Sequence, residues 1–202
     1  MTRIVLTFLL SLLALPAAAQ NGPSAQARDE TTRLAVAVLG RICLLNMGDS
    51  NAILTAASPT GEFGFSDATP DVAETFLKDR SGFVRVLRRP GLGAVTLVAG
   101  NDGICTVWSE YADVNAVQRY LMAMVEKGGL KGGAHLLALD ARDEDGQRIT
   151  DYYIMPTDWF ARDLGKRFGE DGSQPLPLVT SVSGPGRRPM EAMLSVSRVM
   201  RK

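Results

Sequence analysis

His135 is the only histidine in the chain, and Cys43 and Cys105 are its only cysteines. Together with the serines they carry most of the nucleophilic and acid–base chemistry the sequence offers. A thiol or hydroxyl nucleophile needs a base within hydrogen-bond reach, and His135 is the one imidazole that could serve. A triad would also need an orienting carboxylate. No Gly-x-Ser-x-Gly turn and no Ser-x-x-Lys pair occurs. His135 follows Gly132-Gly133 at the start of an expected strand, where a place on the surface or rim is the plain alternative. A small hydrolase using His135 with Cys105 or a serine is therefore the second reading of the chain, behind a non-catalytic one.

Other constellations weaken on inspection. Two cysteines and one histidine cannot complete a four-ligand zinc site without carboxylates. Asp143-Glu144-Asp145-Gly146 has the look of a calcium loop, but its first ligand position would be Ala141 and its twelfth Tyr152. It reads as an acidic hairpin tip. Gly128-Gly129-Leu130-Lys131-Gly132-Gly133 lacks the Gly-Lys-Ser/Thr ending of a phosphate loop and follows a helix instead of preceding one. Trp108, Tyr111, Tyr152, Tyr153, Trp159 and Phe160 would suit a binding groove, although aromatics more often serve core and rim. Nothing here requires a metal or cofactor.

The sharpest charge feature is basic. Lys78, Arg80, Arg85, Arg88 and Arg89 fall within residues 78–89, and such a patch could hold a phosphate, a lipid head group or an acidic glycan. Arg85, Arg88 and Arg89 form the candidate anion site; a solvated strand face is the alternative. Globally the chain balances 22 basic against 22 acidic residues, without the basic excess that marks nucleic-acid binding.

The first residues read as an address. Met1-Thr2-Arg3 precedes an apolar run from Ile4 to Leu15, and Pro16-Ala17-Ala18-Ala19 ends it with the small residues signal peptidase accepts. The run is too short for a span, which needs about 20 residues. The sequence predicts a Sec signal over residues 1–19 cleaved after Ala19, a flexible leader over 20–29, and one domain over 30–202, periplasmic or secreted. No later stretch approaches spanning length. In an oxidising compartment an even pair of cysteines points to a disulfide between Cys43 and Cys105. Two buried thiols or a catalytic cysteine are the alternatives.

The elements that must position these residues follow from periodicity and turn chemistry. Leu34, Val38, Ile42 and Leu45 recur at helical spacing and predict a helix over 30–45. Residues 50–66 carry no clear pattern. Thr69-Pro70-Asp71 opens a helix to about Lys78. Strands are expected over 83–88, 94–99 and 104–108, with Asn101-Asp102-Gly103 turning the last pair. Asp113 caps a helix that Gly128-Gly129 closes. A hairpin of 134–141 with 147–155, a helix from Thr157 or Asp158 to Phe168, and strands over 175–182 and 190–200 complete the chain. The fold class is α+β: a mostly antiparallel sheet built from hairpins, with helices packed on one face.

The helix ending Arg41-Ile42-Cys43-Leu44 and the run Asn101-Asp102-Gly103-Ile104-Cys105-Thr106-Val107 resemble small exported proteins of alphaproteobacteria to which no activity is assigned. The resemblance implies secretion and a Cys43–Cys105 bridge. The reading is of an exported, non-catalytic binding or accessory domain at the cell envelope, with an anionic ligand or an envelope component as its partner.

Overall fold

A computed structural model describes residues 23–168, 175–183 and 190–200. The expected signal segment over 1–19 and leader residues 20–22 lie outside the described residues.

The chain begins with α1 (Ala25–Val38), earlier than the apolar stripe predicts. The Ser24 hydroxyl caps it by accepting a hydrogen bond from the Ala27 amide at 3.1 Å. Residues 25–29 of the expected flexible leader are therefore helical. What orders them is tertiary: Asp29 binds Arg119 and Tyr120, and Arg28 binds Glu191. These partners lie so far along the chain that no local pattern could announce them.

α1 runs into a π-helix at Leu39–Leu44. The wider turn inserts a residue into the 3.6-residue period and shifts every later side chain around the axis. As a result Leu39, Gly40, Ile42, Cys43 and Leu44 are all buried. α2 (Ser50–Ala56) follows, capped by the Asp49 carboxylate. Then come β1 (Ser66–Asp67), α3 (Pro70–Leu77), β2 (Gly82–Leu87), β3 (Val95–Gly100) and β4 (Cys105–Ser109). α4 spans Val114–Lys127, with Asp113 accepting from the Asn115 amide at 3.0 Å and Gly128 at its end. The remainder is β5 (Ala134–Glu144), β6 (Gln147–Pro156), α5 (Asp158–Phe168), β7 (Pro175–Ser183) and β8 (Ala192–Met200).

The strands of the described residues form one eight-stranded sheet in the order β1-β2-β3-β4-β8-β7-β6-β5, antiparallel at every pairing. Four strands meander outward from β1 to β4. α4 then carries the chain to the far edge, and β5–β8 meander back until β8 closes on β4. The α+β class expected from the sequence is the class observed. Alternation sets two faces. Cys105, Val107, Val179, Leu194 and Val196 point to the helices and join Val36, Leu39, Leu121 and Val125 in the main core. α3 departs from the one-face expectation: its Phe76 ring packs 5.6 Å from Trp108, whose side chain points the opposite way from Val107.

α1 is pinned to this core through polar side chains as well as apolar ones. The buried Thr31 hydroxyl accepts from the Gly93 amide at 3.2 Å, and Thr32 accepts from the Asp113 amide at 2.8 Å. Each satisfies a backbone donor that would otherwise be costly to bury.

Candidate functional site

The disulfide is formed. Cys43 on the π-helix and Cys105 on β4 are bonded across 62 residues, both buried. The cysteine form of the hydrolase reading is thereby corrected: a sulfur held in a buried disulfide is no thiolate nucleophile. His135 lies near the start of β5, the edge strand, exposed and opposite Met155. Among the described residues it hydrogen-bonds neither a serine nor a carboxylate.

The three arginines of the expected anion site are placed differently from one another. Arg85 is half-buried on β2 and ion-paired with Asp67, its cross-strand neighbour on β1. Its Nε makes no hydrogen bond, and the Phe83 ring lies 5.9 Å from the guanidinium. Arg88 and Arg89 are exposed beyond the end of β2. The acidic tip is a two-residue turn with Asp145 and Gly146 at positive φ (50° and 76°), as a tight hairpin requires. Its flank is knitted by Arg142, which reaches Glu144 and Asp151, each at 2.9 Å. No group of three candidate metal ligands occurs among the described residues. The glycine run has structural grounds: a Cβ on Gly133 would sit 2.5 Å from the Trp159 ring and one on Gly128 2.8 Å from the Met124 carbonyl oxygen, while Gly132 takes a positive φ of 70°.

The strongest candidate site was not visible in any single stretch of sequence. A groove of about 350 Å³ runs between α1 with its π-helix and α4, within the size range of small-ligand pockets. Val36, Gly40, Ala123, Met124 and Leu130 make it apolar. Gly40 lets the Met124 side chain of α4 close against the π-helix, because a Cβ there would fall 2.1 Å from the Met124 sulfur. The π-helix forms one wall, and such segments are frequent at functional sites.

Polar groups stand only at the rim. Arg33 is exposed and has no acidic partner among the described residues, while Arg41 is paired with Glu62. At the third rim position the Tyr120 hydroxyl donates to Asp29 at 2.6 Å, and Asp29 also accepts from Arg119 at 2.8 Å. The hydrogen bond to Asp29 and partial burial push the Tyr120 phenol above its ordinary value, so the rim tyrosine stays neutral. An apolar cleft with cations at its mouth can hold an apolar chain and pair with an anionic head, and the described residues that line it include no serine, cysteine, histidine or carboxylate. Arg33 and Arg41 bore no sign of this role in the sequence, since the groove joins residues 33–45 to residues 120–130.

Comparison with protein-family models, curated proteins and solved structures gives no significant match.

Proposed function

We propose that the chain is an exported, non-catalytic binding domain whose α1–α4 groove takes an anionic amphiphile: one apolar chain ending in a carboxylate or phosphate. The observation that carries this reading is the pairing of an apolar groove with Arg33, a rim cation that no acidic group of the described protein answers. An arginine so placed offers planar, bidentate recognition of either head group. The buried disulfide supports the oxidising compartment that export would provide. It also fastens the π-helix wall of the groove to β4, so the site stands on the rigid core.

Displacement of a fluorescent apolar probe by dodecanoate, dodecyl phosphate and dodecanol tests the reading. Both anions should compete better than the alcohol, and Arg33→Ala should remove about two- to fivefold of that advantage, the scale of an exposed ion pair. Equal competition by all three would sink the proposal. So would an advantage that survives Arg33→Ala but disappears when Arg88 and Arg89 are replaced. Amino-terminal sequencing of the envelope fraction tests export, with Gln20 as the expected first residue.

A further inference from the structure

On the other flank of α4 lies a second cavity of about 540 Å³, roofed by the helix and floored by β5, β6 and β7. Its chemistry is the reverse of the groove's. Asn115 and Gln118 reach it from α4 with amide side chains, and Thr150, Tyr152 and Ser181 line it from the sheet. The irregularity between Ala138 and Asp140 interrupts the β5 register beside it, a kind of bend often found next to binding sites.

Tyr152 marks the cavity as more than a polar gap. The residue is 3% exposed and lines the cavity, and its hydroxyl, which has no hydrogen-bond partner among the described residues and is not among their fully buried polar atoms, opens into that space. A phenol whose ring is packed and whose hydroxyl is open holds one donor and one acceptor in place for whatever enters the cavity. The charges near the mouth are already answered: Asp140 lies 3.6 Å from Arg142, and Arg148 lies 3.9 Å from Asp143. An ionic ligand would have to compete with these pairs. A neutral one would not.

We infer that this cavity binds a sugar, a neutral ring bearing several hydroxyls. Amides and hydroxyls each offer a donor and an acceptor, as do adjacent sugar hydroxyls, so the two sets can pair reciprocally. Val117, Ala138 and Ala141 supply apolar surface for the ring's C–H face. This site is separate from the α1–α4 groove and does not depend on it.

Saturation-transfer NMR with glucose, N-acetylglucosamine and maltose, each titrated at millimolar concentration against the mature protein, tests the inference. At least one probe should bind saturably. Tighter binding of maltose would assign the site to a glycan chain and tighter binding of a monosaccharide to a free sugar; both support it. Tyr152→Phe, which keeps the ring, should weaken binding about five- to thirtyfold, the equilibrium scale of losing one or two buried hydrogen bonds. Gln118→Ala, at an exposed position that cannot threaten folding, should weaken it in the same direction. Arg33→Ala should leave it unchanged. No saturable signal from any probe, or wild-type affinity in both Tyr152→Phe and Gln118→Ala, overturns the inference.

Discussion

Replacing both cysteines, Cys43→Ala with Cys105→Ala, removes the one covalent link between the π-helix and the sheet. The bond closes a loop of 62 residues. In the chain-entropy description, releasing a loop of that length returns about 4 kcal/mol of freedom to the unfolded state. Both sulfurs are buried, Cys43 fully and Cys105 to 2% exposure, so deleting them adds on the order of 1 kcal/mol for the voids left behind. The expected loss is about 5 kcal/mol, a large part of a domain's total stability. At roughly 2–4 °C per kcal/mol for a domain of this size, the midpoint should fall by about 10–20 °C. Urea unfolding followed by circular dichroism measures the loss directly by linear extrapolation. Wild-type protein unfolded in the presence of reductant should lose about the 4 kcal/mol entropic share. A loss below about 1 kcal/mol in both experiments would refute the reasoning, since the unfolded chain would then gain little freedom from the missing bond.

Three further outcomes follow from particular contacts. Gly82→Ala places a Cβ 2.2 Å from the Ala99 carbonyl oxygen on the paired strand, and the strain should cost roughly 1–3 kcal/mol in the same unfolding assay. Asp151 is pulled two ways: burial raises its pKa, but the Thr180 hydroxyl at 2.6 Å and the Arg142 guanidinium together hold it below its ordinary 3.8. Its contribution is therefore present above that value and is lost as pH falls through and below it, so Asp151→Asn should flatten the acid limb of the stability profile. His135→Ala, on the exposed edge of β5, should alter stability by no more than about 0.5 kcal/mol and leave ligand binding intact; a marked loss of function would revive the hydrolase reading.

Where local chemistry decides structure, the sequence was readable. Asp113 and Gly128 bracket α4 as expected, Pro70 opens α3, and the Asn101-Asp102-Gly103 turn joins β3 to β4. Thr69 holds the cap position of α3 without making the side-chain bond. Residues 50–66, unpatterned in sequence, contain α2 and the start of β1, two short elements that long-range contacts complete. The first turn of α1 was hidden for the same reason, since its order comes from Tyr120, Arg119 and Glu191. The π-helix was hidden differently: Leu34, Val38, Ile42 and Leu45 satisfy an ordinary helical period, and the inserted residue shows only where the segment packs against β4 and β8. Nor could the place of β5 at the far edge be read, because short hairpin connections say who neighbours whom but not where a meander begins. The pairing of Cys43 with Cys105 was legible from their even number together with the expected export, and the bond is formed. The groove was not, because its two walls are about eighty residues apart in the chain.

The most direct test of the central claim is calorimetric titration of the mature protein and its Arg33→Ala variant with dodecanoate and dodecanol. The account predicts saturable binding of the anion at one site and a preference over the alcohol that shrinks about two- to fivefold when Arg33 is lost. Indifference between anion and alcohol in the wild-type protein, or a preference untouched by Arg33→Ala, would contradict it.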